Sequence, residues 1–95
     1  MEQELLIEFK NRMHIAHSAE DANLLMIIKA SVDDIKHKCS LDTLDNNNRA
    51  IELALERSRY VYNDSVEFFD ENFRSQLTSV GLESILGGFA DETKV

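Results

Sequence analysis

No proline occurs anywhere in this 95-residue chain, and its three glycines are Gly81, Gly87 and Gly88. For the first eighty residues the sequence therefore lacks both of the residues that punctuate a chain most strongly. A β fold needs turn residues at short intervals, so the chain is expected to be all-α. Its length suits one domain with a single modest core. Hydrophobic periodicity then predicts a small bundle of about four helices with a long central helix and a flexible C-terminal tail. The helical domain is expected over 1–82 and the tail over 83–95.

The first helix reads from Glu2 to about Met13. Leu5, Leu6, Phe9 and Met13 share one side, and Ile7 stands on the other. Early acids and the late Lys10 and Arg12 suit the helix dipole. His14 to His17 is a short connector. Ser18, Ala19, Glu20 and Asp21 come close to a capping box that starts a second helix from Ala19 to about Cys39. Leu24, Leu25, Ile28, Val32, Ile35 and Cys39 recur there at steps of three and four, with Ser31 on the same stripe and Met26 alone on the far side. Ser40 to Asn47 is a loop of serine, aspartate, threonine and asparagine, with Leu41 and Leu44 tucked under it and Asn47 or Asn48 capping the next helix.

From Asn48 to Phe73 the pattern is two-sided. Ile51, Leu55, Ser58, Tyr62, Ser65, Val66, Phe69 and Phe73 form a core stripe with Ala54 and Val61 beside it, while Leu53 and Tyr60 sit nearly across from it. A helix with apolar groups on both sides needs two partners: the chain's own core and either another element of the domain or a second copy. Arg57 and Arg59 flank the stripe, where their planar forks are placed to pair with acids of a neighbouring helix or subunit. Leu53, Tyr60, Arg57, Arg59, Met26 and Ile7 are thus the candidate subunit interface. A break is expected among Phe69 to Asn72, then a fourth helix to Val80 with Gly81 as its left-handed end. Beyond it Leu82, Ile85, Leu86 and Phe89 remain apolar in the tail, a surface suited to a partner.

The net charge of −8 argues against wrapping nucleic acid, whose phosphates draw affinity from clustered lysine and arginine. Cys39 is the lone cysteine, which excludes an internal disulfide and fits a reducing cytosol. The amino terminus lacks the basic region and apolar core of a signal peptide, and no apolar run is long enough to span a membrane. His14 with His17, and His37 with Cys39, each lack the second pair that closes a zinc site. Asp64, Glu67, Asp70 and Glu71 read as a solvated acidic face. With no phosphate loop, nucleophile elbow or HExxH motif, neither an enzyme nor a bound cofactor or metal is expected.

Two strings carry a resemblance. Glu56, Arg57, Ser58, Arg59, Tyr60, Val61, Tyr62, Asn63 and Asp64, with Arg12, Met13, His14, Ile15 and then His17, Ser18, Ala19, Glu20, Asp21, resemble the small head-tail connector (head-completion or adaptor) proteins of tailed bacteriophages. The likeness spans roughly residues 3 to 80. It implies a non-enzymatic virion assembly subunit, from a phage or prophage, that forms a homo-oligomeric ring on the portal protein and extends the DNA channel toward a tail-completion or stopper protein. It also implies a monomer before assembly, double-stranded DNA passing without specific binding along an acidic wall, and residence in the host cytoplasm and then at the head-tail interface. Leu82, Ile85, Leu86 and Phe89 become the candidate portal-docking tail. A small cytosolic helical regulator, binding one partner protein and itself dimeric, fits the same composition.

Overall fold

The computed structural model describes the backbone of residues 1–93 and the side chains of residues 1–86. Within it the chain forms α1 (Glu2–Met13), α2 (Asp21–Cys39), α3 (Asn48–Tyr62), a 3-10 turn (Val66–Phe68), the single-turn α4 (Phe69–Asn72) and α5 (Arg74–Thr93). No strand occurs among the described residues.

α2 is the element against which the others pack. Its buried residues Leu24, Ile28, Ser31, Val32, Ile35 and Cys39 follow the spacing of the sequence stripe. They receive α1, α3 and α5. The closest of these neighbours, α3, offers small groups: Ala50, Ala54 and Ser58 are buried, as is Ser31 opposite. Small side chains let two helix backbones approach, and the hydroxyls need partners once water is gone. Ser58 Oγ donates to the Ala54 carbonyl at 2.8 Å, and Ser31 Oγ accepts from Arg57 at 3.1 Å.

Three helices stop without glycine. At the end of α1 the Ile15 N–H reaches the Lys10 carbonyl at 2.9 Å, with His14 left-handed at φ 58°. α2 ends the same way, Leu41 N–H to Lys36 carbonyl at 2.9 Å around Ser40 at φ 55°. α3 repeats it, Ser65 N–H to Tyr60 carbonyl at 2.8 Å around Asp64 at φ 54°. Each is a Schellman end, in which the residue after the reversal bonds back across the last turn. At the first two, that residue is apolar and packs on the core, which anchors the reversal. Asn47 caps α3 as its side chain suggests, accepting from the Ala50 N–H at 3.0 Å. Leu44 in the preceding loop is buried.

Several expectations are corrected here. The central helix is not long: the Asp64 reversal ends α3 at Tyr62, so it is shorter than α2 and α5. The break falls at Asn63–Ser65 and not among Phe69 to Asn72. Ser18 makes no side-chain cap; α2 begins two residues later than expected, after Glu20, which makes none either. Gly81 does not end a helix, because α5 runs through it without a positive φ. The tail expected from residue 83 thus continues as helix to Thr93.

Candidate functional site

Leu53 is 3 % exposed and packs in the chain's own bundle, so it is not the outward-facing contact residue expected of it. Tyr60 goes with it. Its ring meets Phe69 and Phe73 edge-on, at 5.7 Å each, and those two rings stack at 5.0 Å. The Tyr60 hydroxyl accepts from Asn72 Nδ2 at 3.0 Å. The elements that pack against α3 belong to the same chain: α2, α1, the 3-10 turn and α5, with Phe69 of α4 against the Tyr60 ring. The reversal at Asp64 is the cause, because it folds the aromatic part of the expected long helix back onto Leu53 and Tyr60.

Arg57 is an internal tether. Its Nε stands 3.0 Å from Asp34 of α2, and Lys38 meets the same carboxylate at 2.7 Å before pairing onward with Asp70 of α4. This chain of charges joins three helices. Burial works against the Lys38 ammonium, and the Asp34 and Asp70 carboxylates outweigh it, so its pKa is raised. Arg59 turns to Glu56 on its own helix at 2.8 Å and covers the Tyr60 ring. Arg12 bonds Glu52 across α1 and α3, with one contact at 3.0 Å. That bond, opposed by partial burial, holds the Glu52 carboxyl below its ordinary range.

The remaining candidates stay in contact with solvent. Ile7 and Met26 are 63 % and 71 % exposed, each isolated on the outer side of its helix. Leu82, Ile85 and Leu86 are all more than half exposed. At about 100° per residue they lie roughly 165° around α5 from Leu77 and Val80, the residues that hold it to the bundle. With Phe89 they read i, i+3, i+4, i+7, the spacing of a second apolar stripe. The Phe89 side chain lies outside the described residues. Two-sidedness therefore belongs to α5, and nothing within the chain's described residues fills its outer side.

A groove of about 240 Å³ runs between α3 and α5, with Leu53, Phe73 and Val80 along its floor and Arg49, Glu52 and Gln76 on its rim. Arg49 spans it, bonding Ser79 at 3.0 Å and pairing with Glu83. Sequence reasoning missed this groove, since it depends on the fold-back of α4 and α5. The volume is below that of ordinary small-molecule sites. Among the described residues no group of three or more His, Cys, Asp and Glu side chains is placed to hold a metal ion. The Cys39 thiol is buried, donates to the Leu77 carbonyl at 3.6 Å and has its pKa pushed up by desolvation. No helix among the described residues is long and apolar enough to cross a membrane. Comparison with protein-family models, with curated proteins and with solved structures finds no match for this chain.

Proposed function

We propose that the chain is a head-tail connector subunit of a tailed phage or prophage, a structural adaptor that assembles as a ring on the portal protein and lengthens the DNA channel toward the tail-completion protein. The observation that carries this reading is the outer stripe of α5. Leu82, Ile85 and Leu86 form an unfilled apolar row on a helix whose other side is already anchored, as a subunit designed to meet neighbours requires. The resemblance in the Arg12–Asp21 and Glu56–Asp64 strings supplies the identity of the assembly. The charge balance agrees with a channel component: a wall with a surplus of carboxylates repels phosphate, so duplex DNA slides past without being held.

The test is to mix the purified chain with the portal protein of the same phage or prophage and to examine the product by mass photometry and electron microscopy. Rings seated on the portal are expected, with the free chain monomeric. A chain that ignores the portal at assembly concentrations, and instead captures one cytosolic partner as a dimer, would establish the regulator reading in its place.

A further inference from the structure

We propose that the 3-10 turn, α4 and α5 form one arm, hinged at Asn63–Ser65, that swings off the α1–α3 unit when the Asp64 reversal straightens and α3 continues into the arm as a single helix. The inference stands on the chain alone and does not rest on the connector reading.

The hinge supplies the first argument. Of the three helix ends that reverse, those at His14 and Ser40 are followed by Ile15 and Leu41, which pack on the core and pin the new direction of the chain. The reversal at Asp64 is followed by Ser65, a small polar residue whose hydroxyl donates to the Tyr60 carbonyl at 3.3 Å. No apolar anchor holds this corner, and Val66 and Phe68 just beyond it are exposed.

The apolar row supplies the second. α1 and α2 run out of periodicity where they end, whereas Val66, Phe69 and Phe73 follow Tyr62 in the register of an uninterrupted helix. Neither glycine nor proline stands in the way between Asn48 and Val80. A straight helix through Asp64 also gains the backbone bonds of a continuous ladder and loses the cost of a left-handed L residue. The sequence thus encodes two local conformations, and tertiary contacts choose between them.

The contacts that choose are slight. Among the described residues the arm supplies Phe69 and Val80 to the buried core, and every other buried apolar residue belongs to the part before the hinge. Much of the remaining attachment is polar and at the surface: Lys38 to Asp70, Arg49 to Ser79 and Glu83, Asn72 to Tyr60, and Ser84 to the Ser40 carbonyl. Exposed links of this kind contribute little each, and α1–α3 keeps most of its core when they part. Opening bares Leu53, the Tyr60 ring and the Cys39 thiol, which sits under α5 with Leu77 and Gly81 against it.

The Cys39 thiol reports the motion. In the unmodified chain it is expected to react with an aromatic disulfide reagent at least about tenfold faster than the global unfolding seen in urea melts allows, while the buried amides of α1 and α2 exchange hydrogen only at that global rate. Asp64→Gly, which suits the reversal, should slow the reaction about fivefold; Asp64→Leu, which suits the continuous helix, should speed it about fivefold without loss of helical circular dichroism. Straightening is read from the distance between spin labels in a Cys39→Ala chain carrying Asp42→Cys, Ile85→Cys and Asp64→Leu. The labels lie within about 20 Å when Ser84 bonds Ser40, and on the order of 50 Å apart along one helix. A second population at the longer distance is expected. The proposal is overturned by a thiol that reacts only at the rate of global unfolding, by a rate indifferent to Asp64→Gly, by loss of helix in Asp64→Leu, or by label distances without a peak at the longer value.

Discussion

Arg57 leaves α3 on its α2 side, and its guanidinium meets Asp34 and the Ser31 hydroxyl there. An arginine at that position has its aliphatic stem buried and its charge answered, so it serves the fold of one chain. Its neighbour Arg59, two residues on, keeps to its own helix. Position beside an apolar stripe marked both as contact residues, and that much was legible; which acid each would find depended on α2 and could not be read from α3 alone. The Arg12 and Glu52 pair allows a direct check. Because the bond holds Glu52 below its ordinary range, it stabilises the folded chain above that range and is lost as the pH falls through the depressed folded value. Glu52→Gln is expected to lower stability at neutral pH by under ~1 kcal/mol, the scale of an exposed pair. The gap between variant and parent should close in urea melts taken at successively lower pH. A gap that persists with Glu52 fully protonated would assign the loss to packing.

Helix ends show where sequence patterns inform and where they fail. α1 was readable to the residue and α2 nearly so, because their apolar rows stop where the periodicity stops. The end of α3 was not. Val66, Phe69 and Phe73 continue the row of α3 in register, and no glycine or proline interrupts it. The interruption comes from Asp64, a residue that accepts the left-handed conformation by virtue of its short polar side chain. Conversely, Gly81 carried the usual signal of a helix end but sits mid-helix beside Cys39. A methyl group there would stand 3.6 Å from the Cys39 Cα, an ordinary contact. The pair of substitutions that moves glycine to where the backbone uses it follows. Gly81→Ala should raise stability by roughly 0.5–1 kcal/mol through helix propensity, and Asp64→Gly by up to about 1 kcal/mol through relief of the left-handed cost. At about 4–8 °C per kcal/mol for a domain of this size, both shifts are resolvable in thermal melts. A fall in Tm for Gly81→Ala would mean that α5 cannot give at its contact with α2.

Taken whole, the molecule measures 51 × 26 × 17 Å, and its radius of gyration of 14.5 Å exceeds the roughly 12 Å of a compact domain of this length. The elongation goes with a final helix of 20 residues, about 30 Å of rod. One flank of that rod completes the core through Leu77 and Val80; the other presents Leu82, Ile85 and Leu86 outward. The two-sided pattern expected of α3 is met within the chain, and the apolar side left exposed belongs to α5. Leu53 and Tyr60 belong inside because the chain turns back on itself, an outcome set by one dihedral angle and invisible to periodicity. The measurement that tests this division most directly compares Leu53→Asp with Ile85→Asp by circular dichroism and by assembly on portal. Leu53→Asp is expected to unfold the free chain, since it puts an unpaired charge where the side chain is only 3 % exposed, whereas Ile85→Asp should keep the parent's helical signal and melting temperature and fail to form rings. A folded Leu53→Asp that merely loses assembly, or an Ile85→Asp that assembles as the parent does, would contradict it.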